Sequence, residues 1–586
     1  MNIVVVVGIF ITLITAIPVL IQLRSHPRGL FVLFFAEMWE RFSYYGMRGL
    51  LIFYLTQHFL FDDDFAQGQY AAYTTLVYLL PLVGGMLADR WLGTRKAIGF
   101  GALLLVAGHF AMAIEGGPAT QTLTYAGATY DFVAEGRQGD RSVCLKVGDG
   151  CYPVVAASDG GMTITGLPAT AALPQSLPRD SYTLAVTDRS PFYVNVFYLA
   201  LSLIVMGVGF LKANISSIVG QLYLPGDVRR DPGFTLYYYG INLGAFWAAV
   251  LCGLLGQTVG WWAGFGLAGV GMLAGFLVFV WGKPLLEGKG EPPEPEALRR
   301  PVLGPLKLEH AIYAAAVLGV GVVWFMVRNF WLMGPLQALG WGGILAYFAW
   351  YAIRKLDKIE RDRLVLALVL IFASIVFFAL FEQAGSSLNQ FAERNTNLPN
   401  QGFMTVTPSQ TQSFNAGFIL IFAPIFAALW AWLGRRNRDP NPVVKFGLAL
   451  MQVGAGFLVL VWGATYADGA FRTPMIFLAL AYLLHTTGEL CLSPVGLSEM
   501  TKLSPPALIS TVMATWFLAS SAAQYIAGFV AQLTASETVA GQVLDPAKAL
   551  GVYVSTFQTI GWIGVGIGVL LLAASPWLKK LAHGVK

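Results

Sequence analysis

Apolar runs of about twenty residues recur along nearly the whole chain, and this recurrence constrains the fold more than any other feature. A run of that length matches the hydrocarbon thickness of a bilayer when it is helical. Within lipid the backbone must satisfy its own hydrogen bonds, which leaves helices or a closed barrel. Barrel strands alternate apolar and polar residues over about ten positions. These runs are continuous, so an all-α membrane protein is expected. Only 12% of the 586 residues are charged, against about 25% in soluble domains. The runs lie near 29–58, 70–91, 96–114, 190–223, 234–257, 262–282, 308–330, 335–353, 364–391, 411–433, 443–466, 474–500, 507–533 and 550–577. A further run at 3–22 has no basic residue before it. Segment 1–28 therefore reads as an extra helix with its N-terminus outside, with a long uncleaved lead or a misassigned start as the alternatives, since the basic region and small-residue cleavage site of a signal peptide are not clear. The total is about fifteen helices.

Charge sets the orientation. Arg90, Arg95 and Lys96 cluster in one connection, and Arg229/Arg230, Arg299/Arg300, Arg354/Lys355/Lys358, Arg435/Arg436/Arg438 and Lys579/Lys580 in others of the same phase. The positive-inside rule places these in the cytoplasm. The formal net charge of +5 is therefore no sign of nucleic-acid binding. The opposite connection at 59–69 holds Asp62, Asp63 and Asp64 without Lys or Arg, and reads as an external loop. Residues 116–189 break the rhythm: VCLKV, MTITG and YTLAV are separated by Gly, Pro and Asp. A small β-rich insertion outside the cytoplasm is expected there, where Cys144 and Cys151 can pair. Residues 283–307, rich in Pro, Gly and charge, read as a cytoplasmic linker. It separates an N-terminal six-helix bundle, 29–282, from a two-helix insertion, 308–353, and a C-terminal six-helix bundle, 354–586.

The stretch EMWERFSYYGMR puts Glu37, Glu40, Arg41 and Arg48 into one spanning helix. At ~100° per residue, positions 37, 40, 41, 44 and 48 fall within an arc of roughly 100°. Two carboxylates, two guanidinium groups and the Tyr44 phenol share that face, while Phe35, Trp39, Phe42 and Leu50 suit lipid or a neighbouring helix. Glu37 and Arg41 stand at i, i+4 in the favourable order. Lys212, Glu382 and Glu489 also lie deep in apolar runs, where ionisable groups are costly and mark pathways. Asn242 and Asn415 offer neutral donors and acceptors, for a ligand or for an interhelical bond. Cations come from the first half (Arg41, Arg48, Lys212) and Glu382 and Glu489 from the second. A cavity between them suits a short zwitterion, and buried glutamates beside bases can carry protons. Trp516 and Phe517 can line an apolar pocket or simply pack. Walker, HExxH, nucleophile-elbow and Cys/His zinc patterns are absent from the sequence, so neither ATP coupling, catalysis nor a metal site is expected.

Seven motifs in order carry a family resemblance. EMWERFSYYG at 37–46 is similar to the ExxERFxYYG signature of the proton-coupled oligopeptide transporters, a branch of the major facilitator superfamily. GGMLADRWLGTRK at 84–96 resembles that superfamily's loop between helices two and three. FLKAN at 210–214, YYYGINLGA at 237–245, FEQAGSS at 381–387, GELCLSPVGLS at 488–498 and MATWFLASS at 513–521 also resemble family patterns. The resemblance implies two six-helix bundles of inverted repeats rocking about a midplane site. Residues 308–353 would be the two extra helices common in bacterial members. It implies a proton-coupling cluster of Glu37, Glu40 and Arg41 acting with Lys212 and the peptide carboxylate. Arg48 and Glu382 would form an outer ionic gate. Lys212 and Glu489 would approach or pair across the empty cavity. Glu489, Asn242 and Asn415 would hold the peptide amino terminus, Tyr44, Tyr45 and Tyr78 its backbone, and Trp516 a side chain.

The implied activity is import of di- and tripeptides with protons, by a monomer in a bacterial inner membrane, with the proton as coupling ion and no other cofactor. Two features fall outside the family pattern, the 3–22 helix and the 116–189 insertion. Ala71 lies near the place where animal members have a histidine. Alternatives are the same fold carrying another small anion or peptide-like metabolite, a passive pore, or a sensor. Glu489 disfavours a bare inorganic anion unless it pairs with Lys212.

Overall fold

A computed structural model describes residues 2–136, 141–157, 160–224 and 227–584; residues 137–140 and 158–159 of the insertion lie outside the described residues. The helices are α1 (Ile3–Leu23), α2 (Arg28–Phe53), α3 (Asp63–Leu87), α4 (Thr94–Met112), α5 (Pro191–Gln221), α6 (Arg230–Thr258) and α7 (Trp261–Trp281). The short α8 (Pro295–Arg299) precedes α9 (Leu308–Arg328), α10 (Met333–Lys355), α11 (Lys358–Phe381) and α12 (Ser387–Arg394). Last come α13 (Ser413–Arg435), α14 (Pro442–Ala464), α15 (Met475–Leu503), α16 (Ile509–Gln532) and α17 (Pro546–Leu581). Among the described residues, thirteen helical spans are long and apolar enough to cross a membrane. Helices α2 and α10 add two of spanning length, 26 and 23 residues. The chain is a multi-pass membrane protein.

Three expectations change. Helix α3 starts at Asp63, within the expected loop 59–69. Asp62 caps it by accepting from Phe65 N at 2.9 Å, and Asp63 and Asp64 sit in the first turn, where negative charge meets the positive end of the helix dipole. The expected helix 364–391 is broken: a 3₁₀ turn at Glu382–Gly385 separates α11 from α12. Residues 283–307 are folded instead of a bare linker, with α8, a two-strand hairpin and buried Leu286 and Leu298. They dock on the start of α4, where Arg95 N donates to Gly290 O at 2.9 Å and Arg95 pairs with Glu291 at 2.7 Å.

The insertion is a seven-stranded antiparallel sheet in the order β6-β5-β4-β3-β2-β1-β7. Its strands are β1 (Thr120–Tyr125), β2 (Ala128–Glu135), β3 (Ser142–Val147), β4 (Gly150–Ala156), β5 (Met162–Ile164), β6 (Ser176–Leu177) and β7 (Tyr182–Thr187). Cys144 and Cys151 form a disulfide between β3 and β4, with Cα atoms 5.4 Å apart.

The apolar residues of the membrane region fall into two main cores. One draws on α2–α7 and on Ile312, Val320 and Val323 of α9. The other draws on the helices after α10 and on Phe348 of α10. The α9–α10 pair is thus shared between the halves and covers the seam where α3 meets α16. There Gln337 Nε2 donates to Ser521 Oγ at 2.7 Å, and Ser521 Oγ to Thr75 O at 2.9 Å. Gly528 lets these helices approach at Ala71, since a side chain at 528 would run into the Ala71 methyl. Helix α1 covers the opposite seam, with Val4, Val5 and Ile11 against Phe246 of α6 and Leu420 of α13.

Candidate functional site

On α2, Trp39 and Phe42 take up the room that Gly275 and Gly271 leave on α7, so their face meets a helix. This turns the charged face toward the middle of the molecule. Glu37, Glu40 and Arg41 are 1%, 0% and 9% exposed. Arg41 Nη2 lies 2.7 Å from Glu37 Oε1, and its Nε lies 3.2 Å from Glu40 Oε2. Neither Glu40 oxygen has a hydrogen-bond donor of good geometry among the described residues. Two turns on, Arg48 forms a buried ion pair with Glu382 and donates through Nε to Tyr70 OH at 2.6 Å. The break after α11 is what places Glu382 there. Gly385 sits directly against Arg48 and the Tyr70 hydroxyl, leaving no space for a side chain.

The Arg48–Glu382 pair joins the halves, and further bonds extend the closure toward the side bearing the sheet. Gly49 O accepts from Asn389 Nδ2 at 2.9 Å and Ser409 Oγ at 3.1 Å. Gln67 Nε2 donates to Gln390 Oε1 at 2.5 Å. Arg394 embraces Asp63 through two bonds of 2.5 and 2.8 Å. Fixed bidentate geometry and a paired carboxylate are what such a burial requires. The sheet side is therefore closed.

Below this closure is a cavity of about 160 Å³ lined by Tyr45, Arg48, Asn242, Glu382, Asn415 and Glu489 among others. Asn415 Nδ2 donates to Thr486 Oγ1 at 3.0 Å and Glu489 Oε2 at 3.3 Å. Asn242 donates to Tyr238 O of its own helix at 3.0 Å. Cation and carboxylates therefore face one space. Lys212 has no carboxylate within 4.0 Å among the described residues, so the expected Lys212–Glu489 pair is not formed. Its Nζ lies 3.5 Å from the centre of the Tyr78 ring and 5.9 Å from that of Tyr44. An ammonium is attracted to a ring face, and Glu489 is engaged by Asn415 instead. Tyr44 is buried with its hydroxyl unpartnered among the described residues. Trp516 fills the space over Gly496 of α15 and is not part of the described cavity lining. Tyr238 and Gln412, which line the cavity, and Tyr70, Asp63 and Arg394, which close it, were missed from sequence. For Asp63 and Arg394 the sequence held an acidic connection and an arginine just beyond the apolar run 364–391, with nothing local to pair them.

The sequence model of the POT family matches residues 95–553. The chain belongs to the POT family. It is 33% identical to the uncharacterized transporter YclF of Bacillus subtilis, over 96% of each chain. It is 30% identical to the di-/tripeptide transporter of Lactococcus lactis subsp. cremoris, over 96% of this chain and 98% of that one. The crystal structure of a peptide transporter POT in complex with sulfate superposes with a TM-score of 0.69 at 33% identity, covering 95% of this chain and 96% of that one. A POT transporter solved with 5-aminolevulinic acid also gives 0.69, at 25% identity over 94% and 97%. The fold is that of the major facilitator transporters with a small β insertion added, and the POT family and these relatives are transporters.

Proposed function

We propose that this protein is a proton-coupled symporter that imports di- and tripeptides by alternating access through a bacterial inner membrane, as a monomer. The observation that carries the reading is the Arg48–Glu382 pair, which ties the two halves together directly over a cavity bearing charges of both signs. The relatives' naming as di-/tripeptide transporters supports the substrate class. Glu489 and Asn415 suit a peptide ammonium, and Arg41 and Lys212 its carboxylate. Burying an ionised carboxylate without donors is costly, so Glu40 is a good station for a proton. A proton there removes the charge that Arg41 faces and loosens the cluster. Glu37 shares that cluster, and protonation of Glu382 would release Arg48 and the sheet-side closure.

The test is uptake of labelled dialanine into proteoliposomes with and without an inward proton gradient. Accumulation above equilibrium that collapses with a protonophore is expected. Uptake that only equilibrates overturns the coupling, and competition by nitrate in place of unlabelled dialanine overturns the substrate class.

A further inference from the structure

By chain order the β1–β7 sheet belongs to the N-terminal half, between α4 and α5, and both of its stalks are tied there. Ala119 N donates to His58 O at 2.8 Å. Arg189 Nε and Nη2 donate to Phe59 O and Leu60 O, each at 2.7 Å. The far side of the sheet is held by the other half. Between α16 and α17 the chain makes a hairpin with strands Thr538–Val539 and Gln542–Val543. Val539, Ala540 and Leu544 are buried in the same apolar cluster as Leu123, Phe132 and Leu145 of the sheet. The insertion's core is thus completed by residues from the opposite half.

Polar contacts frame this shared core. Arg141 Nη2 donates to Ala540 O at 2.5 Å, and Ala540 N donates to the Gln121 side chain. Ala156 N donates to Leu544 O at 3.3 Å, and Arg179 lies 3.4 Å from Glu537 at the exposed rim. Gly541, at φ +74, forms the hairpin tip. A side chain there would meet Thr56 O at 2.7 Å and Arg141 Nη2 at 3.3 Å, so the tip is wedged between residues 56–57, just after α2, and the insertion. Beside it a cavity of about 880 Å³ is lined by Gln57, Arg141, Glu393, Arg394 and Gly541, that is, by both halves and the insertion.

All of this lies on the side closed by Arg48 and Glu382. In a transporter whose halves rock, opening that side moves the hairpin away from the stalks that anchor the sheet. We propose that the β-rich insertion is a second gate on this side, a latch with Arg141 as its positioning residue, which must release the 538–544 segment before the side opens. The proposal rests on the alternating-access reading above. It gives the insertion a part in transport: the sheet slows opening toward the sheet side, and its release belongs to the transport cycle.

The test uses the full chain in proteoliposomes, with spin labels at Asp64→Cys and Gly469→Cys, exposed positions at the sheet-side ends of the two halves. Loss of a guanidinium–carbonyl bond in Arg141→Ala should raise the ratio of the long-distance to the short-distance population about tenfold, with Arg141→Lys restoring most of it. In a second variant, Ala156→Cys with Leu544→Cys, oxidation joins the insertion to the hairpin. The long distance should then vanish and dialanine uptake stop until reductant is added. The unlinked parent is reduced in parallel, because reductant also opens Cys144–Cys151. A joined protein that keeps the parental distance distribution and uptake rate overturns the latch. A parent that takes up no dialanine defeats the transport reading, while the distances still decide the latch.

Discussion

Replacing Glu382 with glutamine tests the closure most directly. Arg48 and Glu382 are 4% and 8% exposed, and removing one partner of a buried ion pair costs about 3–5 kcal/mol. Part of that is recovered, because the glutamine carbonyl still accepts from Arg48 and Tyr70 OH still accepts from Arg48 Nε. The net loss in the closed state is about 2 kcal/mol. When the sheet side opens, Arg48 meets water and the loss is not felt. The closed-to-open ratio should therefore fall about thirtyfold, at 1.4 kcal/mol per factor of ten. Hydrogen exchange reads this ratio in the amides of α12 and of 408–412, where Asn389 and Ser409 hold Gly49 O. Exchange there should quicken about thirtyfold, while amides of α14, inside the C-terminal core, keep their rates. Unchanged exchange in α12 of a folded Glu382→Gln protein would refute the claim that this pair holds the halves together.

The remaining predictions separate coupling, binding and packing. Glu40→Gln should abolish gradient-driven accumulation of dialanine while leaving counterflow; full accumulation would remove Glu40 from the coupling step. Glu489→Gln should raise the dialanine KM about tenfold, the worth of one charge-assisted hydrogen bond, and leave an N-acetylated peptide unaffected; equal effects on both would place the amino terminus elsewhere. Trp516→Ala should lower stability by about 3–5 kcal/mol and leave the dialanine KM unchanged, because the ring packs on Gly496; a raised KM with little loss of thermal stability would return it to the substrate pocket. Replacing Cys144 and Cys151 by alanine should destabilise the insertion by about 2.5 kcal/mol, the loop-closure entropy for so short a loop, read by faster exchange in β3 and β4.

Much of the fold was legible in the sequence, and the failures have physical causes. The apolar runs located the spanning helices because length and apolarity are properties of one segment. The early start of α3 hid behind Asp62, Asp63 and Asp64, whose charges signal a loop and a helix N-terminus alike. The break at Glu382–Gly385 lies in the polar stretch EQAGSSLNQ, which reads equally as the polar face of one long spanning helix and as the end of a shorter one. The docking of the sheet on Val539, Ala540 and Leu544 was equally hidden, because a short apolar stretch in a loop predicts no particular partner.

By itself the sequence determined that α2 turns its charges toward the protein interior. The helical period sets which residues share a face, and lipid excludes that face. It also determined that Lys212, Glu382 and Glu489 lie deep in apolar runs, where an ionisable side chain needs a partner inside the protein. Only the tertiary structure decided the partners: Arg48 with Glu382 across 334 residues, Lys212 on Tyr78 and Tyr44, Glu489 with Asn415. Helix periodicity is local. Which charge meets which depends on how helices far apart in the chain pack against one another, within each half and between the two.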